Sequence, residues 1–127
     1  MQAKGNTMRH LTTAIACLLP LYLPPTSAQA DDWQPLDAPT IKSALTARTL
    51  AYAGGATQQF NADGSTTYTT DHASSGTWRI DGTKYCSQWP PSDRWSCYDM
   101  ARSPDGLDLR FIAGDGSSSV GRYIDLK

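Results

Sequence analysis

The chain has 127 residues, with 11 basic and 12 acidic side chains and a formal net charge of −1. This length suits one globular domain, and the balanced charge provides no basic patch for nucleic acid or an anionic membrane surface. Every acidic residue is aspartate. Aspartate favours turns and disfavours helices, so the composition argues against an all-α fold.

Residues 1–30 have the three parts of a cleaved secretory signal peptide. A basic start precedes the apolar run 11–23, and a small-x-small sequence ends at Ala30. The apolar run is interrupted by Pro20 and is shorter than the roughly 20 residues that a membrane-spanning helix needs. We therefore predict cleavage after Ala30, no transmembrane anchor, a periplasmic or extracellular location and a single small β domain over residues 31–127.

Residues 35–47 contain the one plausible helix of the predicted domain. Asp37 or Thr40 can cap its amino terminus, and Pro39 suits a position in the first turn. A short apolar face is formed by residues at helical spacing, which are Ile41, Ala44 and Leu45. We predict a helix of about two turns that packs on a sheet through this face.

After Arg48 the apolar residues alternate, as is typical of strands. Turn sequences rich in glycine and aspartate separate the segments RTLAY, ATQQF, STTYTTD, GTWRI, TKYCSQW, RWSCYDMA, LDLRFIA and SVGRYIDL. We predict a mainly β fold, an antiparallel meander of about eight short strands with one short N-terminal helix. The sheet hides its edges either by closing into a small barrel or by curling strongly beneath the helix.

Four turns contain an Asp-Gly pair, which raises the alternative of calcium binding. The aspartates are Asp63, Asp81, Asp105 and Asp115. Their spacing is irregular, and none begins an alternating ladder of aspartates that ends in glutamate. Asp-Gly is also a strong hairpin signal. We interpret all four as turns and predict neither a metal nor a cofactor.

Cys86 and Cys97 bracket the sequence CSQWPPSDRWSC and remain after the predicted cleavage. An even number of cysteines in an exported domain indicates a disulfide. A hairpin that pairs the two cysteines also pairs Gln88 with Trp95 and has a turn at residues 91–92. A redox pair favours two intervening residues at a helix start, and zinc needs about four ligands. We predict a structural disulfide.

Trp89 and Trp95 lie near the tip of this hairpin, with Arg94 beside them. Aromatic side chains at such a place either pack into the core or form a contact surface or the rim of a ligand cavity. Both interpretations stay open. We assign the three residues as candidate contacts for an unknown protein or small-molecule partner.

His72 is the one residue that suggests catalysis. It follows Asp71 and lies close to Ser74 and Ser75, so a Ser-His-Asp hydrolase is conceivable. Adjacent residues on a strand or loop point in different directions, however, and the Gly-x-Ser-x-Gly elbow is missing from the sequence. We interpret His72 as a solvent-exposed loop histidine and assign no catalytic residue.

Several motifs combine along the predicted domain. They are W-x-P-L from Trp33, I-x-x-A-L-T-x-R-T-L-x-Y from Ile41, and Y-C-S-Q-W-P-P-S…W-x-C-Y from Tyr85 to Tyr98. In this combination the chain resembles a family of small exported bacterial proteins of unknown function. The resemblance implies export and a compact β domain, and it brings no established activity or catalytic residues.

We therefore expect a periplasmic or secreted binding or interaction module that is monomeric and has no catalytic activity of its own. Two alternatives remain. One is a structural component of the cell envelope, and the other is a small hydrolase that uses Asp71, His72 and a serine.

Overall fold

A computed structural model describes residues 32–126, together with Gly5 and residues 20–23. The rest of the predicted signal peptide lies outside the described residues. In chain order the elements are β1 (Gln34–Pro35), α1 (Ala38–Leu45), β2 (Arg48–Tyr52), β3 (Thr57–Phe60), β4 (Ser65–Thr69), β5 (Ala73–Asp81), β6 (Lys84–Gln88), β7 (Trp95–Arg102), β8 (Asp108–Ile112) and β9 (Ser118–Tyr123). Within the described residues, no helix has the length and apolar character needed to cross a membrane.

The helix α1 begins where its capping sequence predicts. The backbone N–H of Thr40 donates to Asp37 Oδ1 at 3.0 Å, and a proline occupies the first turn. The predicted apolar face is buried, with Ile41 and Leu45 fully shielded from solvent. At the other end Ala47 has a φ of 59°, a left-handed conformation that turns the chain into β2.

The eight strands from β2 to β9 form a closed antiparallel barrel. Each strand pairs with the next, and β9 returns to pair with β2 through Leu50 opposite Tyr123 and Tyr52 opposite Gly121. The predicted meander of eight strands is confirmed, and the barrel is the form that it takes. The short strand β1 was not predicted and pairs with the end of β7.

A disulfide joins Cys86 and Cys97 across β6 and β7, with an S–S distance of 2.03 Å. The predicted register is present, including Gln88 opposite Trp95. The turn lies one residue earlier than expected. The N–H of Ser92 donates to the carbonyl oxygen of Trp89 at 3.0 Å, so the two prolines between them occupy the centre of the turn. Prolines have no N–H for a ladder, so they fit the centre of the turn better than its flanks.

The two ends of the barrel differ. At the end where β2 begins, α1 packs across the opening against β2, β5 and β6. Its apolar face joins a core of inward-facing side chains, which include Leu50, Phe60, Trp78, Met100 and Leu109. We call this half of the barrel, together with α1, the closed half. The other half, where β2 ends, has no helix across it among the described residues, and we call it the open half.

Aspartates stabilise turns at both ends. Asp63 Oδ1 accepts hydrogen bonds from the N–H and the hydroxyl of Ser65 at 2.8 and 2.6 Å. Asp115 Oδ1 accepts the same pair from Ser117 at 2.9 and 2.6 Å. These are Asx turns, in which a side chain substitutes for a backbone acceptor. No cluster of three or more potential metal ligands occurs in the described part of the chain.

Candidate functional site

The open half of the barrel contains a cavity of about 960 Å³. Its walls are inward-facing residues of the strands and its rim is made by residues of the hairpin loops. The residues that line it are Tyr52, Ala53, Gln58, Tyr68, Ser74, Ser75, Tyr85, Ser87, Trp89, Pro90, Tyr98, Phe111, Ser118, Ser119 and Val120. This volume lies at the upper end of the range for small-molecule sites in proteins.

The cavity exists because two strands carry small residues at inward positions. On β5 these are Ser74 and Gly76, and on β9 they are Ser119 and Gly121. At each glycine an aromatic ring lies close to the backbone. A Cβ atom at Gly76 would be 2.7 Å from Cε3 of Trp89, and one at Gly121 would be 3.0 Å from Cε1 of Tyr52. The glycines therefore leave room for the rings that shape the cavity.

Aromatic rings form a continuous inner surface around this space. The ring centroids of Tyr85 and Phe111 are 5.2 Å apart, and those of Tyr52 and Phe111 are 6.3 Å apart. Tyr68 continues the series at 6.0 Å from Tyr52 and meets Trp89 edge to face at 6.3 Å. Such tilted and edge-to-face pairs stabilise one another and offer both ring faces and ring edges to a ligand.

Gln58 organises the polar groups on the buried side of the cavity. Its Oε1 accepts from the Tyr52 hydroxyl at 2.8 Å. Its Nε2 donates to Thr66 Oγ1 at 3.0 Å and to the Tyr85 hydroxyl oxygen at 3.4 Å. Gln58 is 7 % exposed, so these bonds compensate for the loss of hydration of its amide. The network also fixes the positions of the two phenols.

A second polar contact in the cavity joins Trp89 to Ser87. Trp89 Nε1 donates to Ser87 Oγ at 3.2 Å, which holds the indole against the mouth of the barrel. Burial raises the pKa of Tyr85 to about 12, although the polar contacts of its hydroxyl with Ser87 and Gln58 oppose this rise. Burial also raises the pKa of Tyr52 strongly. Both phenols are therefore neutral at physiological pH.

The cavity is electrically neutral. Of the described residues that line it, none carries a charge at neutral pH. Ion pairs occur instead on the outside of the barrel. Lys84 Nζ lies 3.0 Å from Asp99, and the Arg122 guanidinium makes two hydrogen bonds to Asp108 at 2.8 and 3.1 Å. An ion that entered the cavity would lose its hydration without gaining a countercharge.

The structure separates the three residues predicted at the hairpin tip. Trp89 lies at the mouth and lines the cavity. Trp95 lies on the outer face of β7, where the guanidinium of Arg79 sits 3.9 Å from its ring centroid. Arg94 is exposed in the loop. Of the three predicted contacts, only Trp89 therefore lies against the cavity.

Sequence reasoning did not assign the other main residues of the cavity, which are Tyr52, Gln58, Tyr68, Tyr85 and Ser87. A usable signal was present in β6. Tyr85, Ser87 and Trp89 are two residues apart, so they share one face of an extended segment. That alternation predicts that Trp89 points the same way as the buried Tyr85.

His72 lies in the loop between β4 and β5, at the open end of the barrel. Its imidazole is 88 % exposed, and Nε2 is 3.6 Å from the carboxylate of Asp71. Ser74 and Ser75 line the cavity. The exposed imidazole has the environment expected of a loop histidine. As a general base it would be surrounded by water, which would compete with a substrate for proton transfer.

The comparisons with known proteins give no relative for this chain. No protein-family model matches it, and neither a curated protein nor a solved structure does. The disulfide hairpin between Cys86 and Cys97, the most specific part of the motif pattern, is present in the structure. The resemblance to small exported bacterial proteins stays a prediction.

Proposed function

We propose that this protein is a binding module that holds a small uncharged molecule in the open half of its barrel. The observation that carries the proposal is the cavity itself, which is closed below by packed side chains and α1 and open at the mouth. Ligand sites are concave, largely apolar and furnished with a few fixed polar groups. The rings of Tyr68 and Trp89 and the network around Gln58 supply both features.

The binding role also explains why the fold accepts a loss of stability around the cavity. Small residues such as Gly76 and Ser119 at inward positions give up apolar burial that larger side chains would provide. A chain selected only for stability would fill such a space, because unfilled volume in a core is destabilising. Hydrogen bonds also orient the rings around the cavity. A packing defect without a function would not need its lining side chains to be oriented in this way.

We further propose that the protein works after export, in the periplasm or outside the cell. A disulfide between Cys86 and Cys97 is compatible with an oxidising compartment. The predicted signal peptide and the resemblance to small exported proteins point the same way. A binding module in that location would meet ligands that enter from the surroundings.

The experiment uses N-phenyl-1-naphthylamine, a neutral dye whose fluorescence rises in apolar surroundings. We expect the purified protein, with its disulfide intact, to bind one dye molecule per chain with saturation. Ser119→Phe places a ring at an inward position and should weaken binding at least about tenfold, because it fills the cavity. Thr77→Phe is the matched control, since Thr77 is exposed on the outward side of β5.

Three results would count against the proposal. The first is the absence of saturable dye binding to the folded protein. The second is equal binding by wild type and Ser119→Phe, with circular dichroism showing that the variant is folded. The third is equal weakening by Ser119→Phe and Thr77→Phe, which would place the dye somewhere other than the cavity.

A further inference from the structure

The hydrogen bonds at the centre of the cavity leave the hydroxyl proton of Tyr85 unused. Ser87 Oγ already accepts from Trp89 Nε1, and the Tyr85 oxygen accepts from Gln58 Nε2. Each of the two hydroxyls therefore accepts one hydrogen bond and still has its own O–H. Neither O–H donates to another of these four side chains.

Tyr85 combines such a free O–H with a buried position. Its ring is buried, and its oxygen accepts from Gln58 Nε2 at 3.4 Å. None of the hydrogen bonds among these four side chains uses the phenol proton, so the O–H is available. Tyr85 lines the cavity, so the empty space is where this O–H can find an acceptor.

The surroundings of this donor restrict the rest of the ligand. The rings of Phe111 and Tyr98 have their centroids 5.2 and 6.1 Å from that of Tyr85, so the donor lies among aromatic rings. Gln58, the amide nearest to it, has its oxygen and nitrogen occupied by Tyr52, Thr66 and Tyr85 itself. A ligand with many polar atoms would find few partners at this depth. A planar apolar body with one acceptor matches better.

We propose that Tyr85 donates a hydrogen bond to a carbonyl or ether oxygen at the inner end of an uncharged, ring-containing ligand. Its rings would lie against Phe111 and extend towards Trp89 at the mouth. The ligand class is thus that of neutral cyclic ketones, lactones and aryl ethers of low polarity. This inference rests on the proposed binding function and adds the ligand class and the orienting residue to it.

The test compares probes that differ only in the acceptor. 2-Acetylnaphthalene has a carbonyl group, 2-ethylnaphthalene has the same ring without an acceptor, and 2-naphthoate has a negative charge. Each is measured by its displacement of N-phenyl-1-naphthylamine from the wild-type protein. We expect the ketone to bind about fivefold more tightly than the alkyl probe, because one additional neutral hydrogen bond strengthens binding by about this factor. The carboxylate should bind more weakly than either.

Two variants locate the donor. Tyr85→Phe keeps the ring and removes the O–H, so the ketone should lose its fivefold advantage while the alkyl probe still binds. Ser87→Ala removes the acceptor of Trp89 Nε1 and should weaken both naphthalene probes together. Its ketone-to-alkyl ratio should stay near the wild-type value, because Tyr85 keeps its proton.

A vibrational measurement on the wild-type protein needs no variant. The carbonyl stretching band of bound 2-acetylnaphthalene should lie at lower frequency than in an apolar solvent, because a donor at the oxygen weakens the C=O bond. A band at the apolar-solvent position overturns the inference, as does a ketone advantage that persists in Tyr85→Phe or disappears in Ser87→Ala. If ketone and alkyl probe bind equally, the inference fails while the binding function stands. If no probe and no dye binds, both fail.

Discussion

The closed and open halves of the barrel are built on the same eight strands but use them differently. In the closed half Ile41, Leu45 and Phe60 are fully buried, and α1 fills the end of the barrel. In the open half Ser119, on an inward position of β9, remains exposed and the space above it is empty. The two halves differ in the volume of their inward side chains and, among the described residues, in the helix that covers only one end, while the pairing of the strands is continuous. A small domain can therefore place its stability in one half and its binding site in the other.

Tyr85 and Phe111 form the boundary between the two halves. Both rings are buried and both pack on Phe60, at 5.9 and 6.4 Å between centroids. Their other contacts belong to the cavity. The packed half therefore supports the floor of the site directly, so that a ligand would meet rings held in place from below. Positioning of this kind reduces the entropy that a protein loses on binding.

One substitution in each half should separate stability from binding most clearly. Phe60→Ala removes a fully buried ring and should lower the free energy of unfolding by about 4 kcal/mol. Trp89→Ala removes a half-buried ring at the mouth and should cost about 1 kcal/mol while abolishing dye binding. Urea unfolding and dye titration measure the two quantities. Similar losses of stability in the two variants would refute the proposed division between the halves.

The second prediction uses the boundary residue Tyr85, whose pKa in the folded protein is about 12 because of burial. Its ordinary value is 10.0, so the folded state binds this proton more tightly than the unfolded state does. The corresponding stability is complete below pH 10 and is lost as the pH rises to about 12. Over this interval we expect a loss of about 3 kcal/mol, from two pKa units at roughly 1.4 kcal/mol each.

The measurement is urea unfolding between pH 9 and pH 12, with the absorbance of tyrosinate followed in parallel. Tyr85→Phe serves as the comparison and should show a smaller decline over the same interval. If the Tyr85 phenol ionised near pH 10 in the folded protein, the floor of the cavity would be open to water. Tyr85 would then not form a buried boundary between the two halves.

A third and much weaker effect is expected at the two Asp-Gly-Ser turns, which lie at opposite ends of the barrel. Hydrogen bonds from Ser65 lower the pKa of Asp63, and those from Ser117 lower the pKa of Asp115. Each contribution to stability is present above the ordinary value of 3.8 and is lost as the pH falls through the lower folded value. We expect Asp63→Asn and Asp115→Asn to lower the urea midpoint slightly and equally at pH 7.

Once the pH falls below the lowered folded pKa values, neither variant should differ from the wild type, because the Asp63 and Asp115 carboxyl groups that are present are then protonated in both the folded and the unfolded states. The effect is small because both turns are exposed and the amide oxygen of asparagine still accepts. An Asp63→Asn variant that lost clearly more stability than Asp115→Asn would show that the turns, and not only the core, distinguish the two ends.

Much of the fold could be predicted because its signals are local. Asp37 and Pro39 mark the start of α1, and the helical spacing from Ile41 to Leu45 identifies its buried face. The Cys86–Cys97 hairpin was predicted in its correct register, since the spacing of the cysteines fixes which residues face one another. The site was predicted less well. Trp89 was named together with Trp95, although the two point to opposite sides of the sheet.

The alternation of each strand, the turns and the disulfide pairing follow from local sequence, because they depend on neighbouring residues and on the period of two along a strand. The closure of β9 on β2, which brings Leu50 opposite Tyr123, is established by the folded structure alone. Closure also decided that Tyr52, Tyr68 and Tyr85 face a cavity instead of a filled core. A ring fills or lines a space according to the volume of the residues opposite it, and those residues belong to distant strands.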